Sequence, residues 1–245
     1  IRETDALPLP APLSQSTETM ELPGGSGRTS ELHNIKRGIG WGVSIKNLMY
    51  SEGFDDYSTA RCRISDGVDS IKFATSEVGQ GFTMLAQQIA RTVLGVDDVF
   101  LDTIDTQVGS AGSTSASRQT WMSGGAVQAA CRAALEKLFD HIATKNSMNR
   151  SELEIDGTDI FDRLTGQRIA VTAAIQGVDI DCTEEYHHPA TEDMDENGQG
   201  NCHVAYAFVA HRAVVDVDPE LGLVKVVQIA TAQDVGRVLN PLSAM

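Results

Sequence analysis

The sequence predicts an α+β fold: two α/β layered subdomains, each a mostly antiparallel sheet with helices on one face. Three observations predict it. Short runs alternate apolar and polar residues between turn-forming clusters, as half-buried strands do. Two longer stretches repeat their apolar residues at helical spacing instead. The order of these elements is β-β-β-α-β-α, then a long connection, then mostly β.

The elements follow from the residues in order. Residues 1–37 carry few structure signals: Leu7-Pro-Leu-Pro-Ala-Pro12 cannot sustain a helix, and Gly24-Gly-Ser-Gly27 is flexible. This segment reads as a linker or an extended arm. Gly40–Tyr50, Thr59–Ile64 and Ser70–Thr75 are strand candidates, separated by turn-rich stretches such as Ser51-Glu-Gly-Phe-Asp-Asp56. Glu77-Val-Gly-Gln-Gly81 then opens a helix over 82–94, in which Phe82, Leu85, Ile89 and Val93 share a face with Ala86 and Ala90 beside them. Gly95 stops it. A glycine turn at a helix start is expected to leave N–H groups pointing outward, where the helix dipole favours an anion.

A strand is predicted over Val99–Ile104. The loop Gln107-Val-Gly-Ser-Ala-Gly-Ser-Thr-Ser-Ala-Ser117 follows, rich in hydroxyls and glycine and almost free of large side chains. It leads into a second helix, from Gln119 or Thr120 to Ile142, with Ala126, Val127, Ala130, Ala134, Leu135 and Leu138 on one face. Ser115 or Ser117 is a natural cap for it. Gly124 and Gly125 each weaken a helix by about 1 kcal/mol relative to Ala; close approach of another backbone or a ligand would account for them. If the intervening strand pairs beside the first, both loops lie at one sheet edge.

Ser151–Leu164 reads as a short acidic connector with a helical turn, and Arg168–Glu185 as a strand or hairpin. Glu184–Gly200 is polar and irregular. Ala205–Val217 and Leu223–Ile229 flank the turn Asp218-Pro-Glu-Leu-Gly222 and form a hairpin. The expected division is therefore a linker or arm over 1–37, a first subdomain over 38–150, and a second, β-rich one over 151–245, truncated at its C-terminal end.

Charge and composition bound the function. A net charge of −15 argues against nucleic acid or an anionic membrane as partner, since both need a basic footprint. No apolar run nears 18 residues and no secretory signal is visible, so a cytoplasmic setting is expected. Cys62, Cys131, Cys182 and Cys202 are widely spaced and read as reduced, mostly buried thiols. His187, His188 and His203 lie near acidic residues without a fixed ligand spacing, and no metal is assigned to them. Asp102 and Asp105 flank a strand, where solvation at an edge outweighs an acid–base role. Taken alone, the residues support an α+β protein with two small-residue loops suited to an anionic or phosphate-bearing ligand.

Several motifs in order then carry a resemblance. Glu77-Val-Gly-Gln-Gly-Phe-Thr83, Gly112-Ser-Thr-Ser-Ala-Ser-Arg-Gln-Thr120 with Gly124-Gly-Ala-Val127, and Val215-Asp-Val-Asp-Pro-Glu-Leu-Gly222 with Asp234-Val-Gly-Arg-Val-Leu-Asn-Pro241 cover roughly residues 38–241. Together they resemble a middle portion of the molybdopterin-binding large subunit of the xanthine dehydrogenase/aldehyde oxidase family. The resemblance implies that Val78, Gly79, Gln80 and Gly81 contact a molybdenum–molybdopterin cofactor from one loop. Ala116, Ser117, Arg118 and Gln119 would contact it from the other, mainly at its phosphate, the cytosine dinucleotide form included. It implies hydroxylation of a heterocycle, a purine first, or of an aldehyde, with oxygen taken from water. Electrons would leave through iron–sulfur clusters and FAD on other domains or subunits, in a homodimer or larger oligomer.

The family's general-base glutamate lies in a later motif beyond Met245. This stretch is therefore expected to hold no catalytic residue, and alone to be inactive. A non-catalytic cofactor-binding or assembly module on the same scaffold is the alternative.

Overall fold

The computed structural model describes residues 7–13, 32–50 and 52–244, so much of the expected arm over 1–37 lies outside the described residues. In chain order the strands are β1 (Lys36–Leu48), β2 (Tyr57–Ser65), β3 (Val68–Phe73), β4 (Phe100–Leu101), β5 (Leu153–Asp156), β6 (Asp159–Asp162), β7 (Arg168–Ala170), β8 (Asp179–His187), β9 (Ala205–Asp218) and β10 (Leu223–Asp234). The helices are α1 (Phe82–Leu94), α2 (Met122–Asn146), α3 (Val171–Ala174) and α4 (Pro241–Ala244). The chain forms two compact units, residues 48–204 and residues 1–47 with 205–245.

In the larger unit the sheet order is β4-β3-β2-β8, antiparallel except where β3 and β4 run parallel. Alternation decides the faces. Ala60, Cys62 and Ile64, Ile71 and Phe73, and Ile180 and Cys182 turn to one face and are buried. α1 and α2 cover that face with Phe82, Ala86, Ala90 and Leu94, and with Ala126, Val127, Ala130, Ala134, Leu138 and Ile142. The small alanines let the helices lie close to the strands. The opposite face carries ion pairs, Arg61 with Asp181 and Arg63 with Asp179. Both helices end on a residue in the left-handed region, Gly95 (φ 69°) and Ser147 (φ 54°).

Residues 151–164, expected as a connector, supply β5 and β6, and these join β7 in a three-stranded sheet of order β5-β6-β7. The left-handed Gly157 closes the β5–β6 turn. Leu153 and Ile160 join the same core cluster as the helices, so the expected boundary at 150 falls inside one compact unit. The predicted alternation from Ile169 to Ile175 is broken by α3, which buries Val171 and Ala174 together. β4 keeps only two of the six residues predicted, because Asp102 turns the chain by accepting the Thr103 N–H at 2.7 Å.

The smaller unit is a sheet of order β1-β9-β10. β9 and β10 form the predicted hairpin, with a register shift between Val226 and Gln228. Asp218 fixes its turn by accepting the N–H groups of Glu220 and Leu221 at 2.9 and 3.0 Å. Its helical elements among the described residues are the 3-10 turn Leu32–Asn34 and α4. Large apolar side chains of its sheet, Ile39, Trp41, Val43 and Ile45 on β1 and Phe208 on β9, stand exposed.

Candidate functional site

Because β3 and β4 are parallel neighbours, with Ser70 opposite Phe100 and Ile71 opposite Leu101, the segments leaving them emerge at one end of the sheet. These are the two loops singled out in the sequence, and Thr114 Oγ1 reaches Ser76 O between them at 3.5 Å. Beneath them lies a buried polar cluster. Ser123 of α2 meets Ser58 at 2.9 Å and Thr75 at 2.8 Å, and its hydroxyl donates to Gln119. All four residues are buried, so the ends of β2 and β3 are pinned to the start of α2.

In the first loop two of the N–H groups at the start of α1, those of Gly81 and Thr83, are already paired. The Glu77 carboxylate accepts from the N–H of Gly79 (2.9 Å), Gly81 (3.0 Å) and Thr83 (3.0 Å), and from the Thr83 hydroxyl (3.2 Å). Gly79 and Gly81, at φ 97° and 80°, provide the left-handed steps that let the chain wrap one carboxylate. These bonds, led by the one from Thr83 N–H, hold the Glu77 carboxyl at about 2. Gln80 closes the turn, accepting from Val78 N–H at 2.7 Å and donating to Ser76 O at 3.0 Å. What faces outward is Val78, 70% exposed, and the backbone surface of Gly79 and Gln80.

The second loop is organised from inside. Arg118, fully buried, forks onto Asp56 through Nε (2.6 Å) and Nη2 (2.7 Å). Its remaining donors go to the carbonyls of Ala111 (2.5 Å), Ser113 (3.0 Å) and Tyr57 (3.1 Å). All five guanidinium N–H groups are thereby used. The charge-assisted bond expected from Arg118 to a ligand phosphate is corrected: an inward guanidinium with no free donor shapes the loop instead. Gly112 sits where a Cβ would lie 2.7 Å from that guanidinium, which is why this position has no side chain.

Gln119 is likewise buried, donating to Ser113 O (3.0 Å) and Thr114 Oγ1 (3.2 Å). With the chain anchored on both sides, Ala116 and Ser117 are held consecutively in the left-handed region, at φ 53° and 52°. Each costs about 1–2 kcal/mol. Ser117 is exposed and Ala116 half-buried.

The start of α2 is not open either. Met122, Gly124 and Gly125 donate to the carbonyls of Arg118 (2.8 Å), Gln119 (3.0 Å) and Trp121 (2.9 Å). Both helix starts are thus partly closed by the loops that lead into them. Gly125 faces the ring of Tyr186, where a Cβ would come within 2.7 Å, so its close neighbour is a side chain of β8. Trp121 Nε1 donates to the same Tyr186 hydroxyl at 3.0 Å.

Asp56, Ser58, Thr75 and Ser123, which hold the site, were not singled out by the sequence. Asp56 stood in a turn-rich stretch, and only its 62-residue separation from Arg118 closing in space identifies it. Asp102 and Asp105 both face Lys72, at 3.9 and 2.7 Å. The Asp105 carboxyl is lowered by Lys72 first and the Gln107 N–H second. His187 lies between Asp55 (2.8 Å) and Glu185 (2.7 Å), and these bonds raise its pKa. No group of three or more potential metal ligands gathers among the described residues. All four cysteines are buried free thiols.

Comparison with known proteins gives this geometry its context. Two relatives from Paenarthrobacter nicotinovorans are similar in sequence. The nicotine 6-hydroxylase large subunit is 26% identical over 91% of this chain and 29% of its own. The gamma subunit of the 6-hydroxypseudooxynicotine dehydrogenase complex is 27% identical over 85% and 26%. The chain thus spans less than a third of the length of these relatives. Among solved structures, CO dehydrogenase from Oligotropha carboxidovorans superposes with a TM-score of 0.68 at 20% identity, over 85% of this chain and 27% of that one. Quinoline 2-oxidoreductase from Pseudomonas putida gives 0.69 at 17%, over 86% and 28%. Residues 17–245 match the family of molybdopterin cofactor-binding domains, and the chain belongs to that family.

Proposed function

We propose that this chain is part of the large subunit of a molybdenum hydroxylase, and that the outer surfaces of its two loops hold the molybdopterin. Val78, Gly79, Gln80 and Gly81 would line one side of the cofactor and Ala116 and Ser117 the other, with Arg118 and Gln119 as positioning residues beneath. The observation that carries this reading is the strained pair Ala116–Ser117, fixed by a buried Arg118 fork and carried to the same sheet end as the Gly-Gln-Gly turn. Backbone strain that the surrounding structure holds in place clusters at ligand clamps and active sites, which supports placing the cofactor here.

The donors fit the group at its edges rather than through a helix dipole. The exposed Ser117 hydroxyl offers a hydrogen bond, the N–H groups of Val78 and Gly79 are taken up within their own turn, and the Glu77 carboxylate offsets the positive end of α1. When bound, the molybdenum centre supplies the redox chemistry of substrate hydroxylation. This chain's share is to hold and orient it.

The substrate class supported here is a nitrogen heteroaromatic, because a relative at 26% identity is a nicotine 6-hydroxylase. A purine, the first expectation, is the narrower version of that class, and an aldehyde is the alternative. Partner subunits bearing iron–sulfur clusters and FAD, a cytoplasmic setting and a homo-oligomer belong to the same proposal. A relative named as one subunit of a dehydrogenase complex favours the partner subunits. No helix among the described residues is long and apolar enough to cross a membrane.

The test is molybdenum and pterin content of the full-length gene product, alongside Gln80→Ala and Ser117→Asp. Stoichiometric molybdenum that falls in both variants supports the reading. A well-folded wild-type protein that carries no molybdenum overturns it and leaves a scaffold without the chemistry.

A further inference from the structure

At the opposite end of the β3–β4 pair from the two loops lies a cavity of about 650 Å3. The starts of both strands line it, through Val68, Asp69, Val99 and Phe100, together with Thr158 and Thr172. Its volume is that of a small-molecule site. It is separate from the proposed cofactor surface, because β3 and β4 are parallel and the loops leave from their other ends.

The unusual residue in this cavity is Asp69. On β3 the buried positions are Asp69, Ile71 and Phe73, so Asp69 occupies a core-facing place in the row and stands opposite Ile64 of β2. It is 5% exposed, and its Oδ1, itself sealed off from solvent, accepts no hydrogen bond, so a ligand in the cavity would meet the other edge of the carboxylate. Burial without compensation raises its carboxyl to about 6. A buried acid without a partner costs stability and marks a functional candidate when it lines a cavity.

The surroundings select the ligand's charge. Asp97 and Asp98 stand at the rim, and Gly95, at the C-terminal and therefore negative end of α1, also lines the cavity. The described acids do not gather as a metal site, so a bare ion is not the fit. Val68, Val99 and Phe100 offer an apolar wall to an organic body.

We propose that this cavity binds a small amphipathic primary ammonium, its cation on Asp69 and its apolar body against Val68, Val99 and Phe100. Thr158 and Thr172 accept the remaining ammonium protons. The probe is benzylamine, with benzyl alcohol as its neutral counterpart, titrated into this chain by calorimetry and by two-dimensional NMR at pH 7.5. Saturable benzylamine binding that shifts the amides of Val68, Phe100 and Thr172 is expected, with the alcohol at least tenfold weaker. Asp69→Asn is expected to weaken the amine at least tenfold. Ala170→Trp, which fills the exposed rim and leaves Asp69 in place, is expected to block it. Absence of amine binding to the wild type, equal binding of the alcohol, or amine affinity unchanged in both variants overturns the proposal.

Discussion

Arg118 illustrates how a single residue can organise a site without facing a ligand. Its five donors and the Asp56 carboxylate close a loop that has almost no side-chain volume of its own. Removing the guanidinium would leave Asp56 buried and unpaired, so Arg118→Ala should destabilise the larger unit by about 3–5 kcal/mol in urea unfolding. Arg118→Lys should also destabilise it, because one ammonium cannot reproduce a two-pronged fork. A loss under 1 kcal/mol for Arg118→Ala would show that the fork does not hold the loop. Asp69 is the opposite case, a buried carboxyl with no compensation at Oδ1. Its folded value, about 6, lies above its ordinary 3.8, so the folded state holds the proton more tightly. Stability from this group is therefore full below about pH 4 and is lost as pH rises through 6. Asp69→Asn should flatten that dependence and gain about 2–3 kcal/mol over wild type at pH 8, read from denaturant midpoints across pH.

At the scale of elements, the Glu77 turn and the Ala116–Ser117 turn reach rigidity by different routes. The first uses two glycines to wrap a carboxylate, and the start of α1 depends on that charge. The Glu77 carboxyl is depressed from 4.5 to about 2, so the turn's contribution is complete above about pH 4.5 and disappears as pH falls through 2. The amide resonances of Gly79, Gly81 and Thr83 should titrate together with a midpoint near 2, and Glu77→Gln should abolish that titration. A midpoint near 4.5 would mean the wrapped carboxylate is not the cap. The second turn forces two residues bearing a Cβ into the left-handed region. Ser117→Gly should relieve strain and raise stability by about 0.5–1 kcal/mol in urea, while lowering molybdenum content of the full-length protein if the hydroxyl is a cofactor contact.

For the whole molecule, the contrast is between a well-buried larger unit and a smaller unit whose sheet exposes apolar side chains. Trp41 is 46% exposed, Val43 73% and Ile45 65%, alternate positions of one strand that put three large apolar side chains on one face. The chain on its own should therefore self-associate with rising concentration in sedimentation velocity. Val43→Thr combined with Ile45→Thr should shift it towards monomer; an unchanged distribution would place the association elsewhere.

Much of this was legible before any coordinates. The 3.6-residue spacing of Phe82, Leu85, Ile89 and Val93 between two glycines gave α1 its limits, whereas the packing buries Phe82, Ala86, Ala90 and Leu94 and leaves Leu85, Ile89 and Val93 partly buried. The β9–β10 hairpin was legible because alternation on both sides of Asp218-Pro-Glu-Leu-Gly222 leaves one turn available. Residues 151–164 read as a connector because four-residue strands hold too few alternations to show a period. Sequence by itself determined the family motifs, the long helices, the hairpin and the pair of small-residue loops, all of which rest on local pattern. Tertiary structure alone decided that Glu77 fills the helix start, that Arg118 turns inward to Asp56, and that Asp69 is buried beside a cavity. Each depends on which distant residues meet, and solvent exclusion at those meetings sets whether a charge is paired, hidden or left to bind.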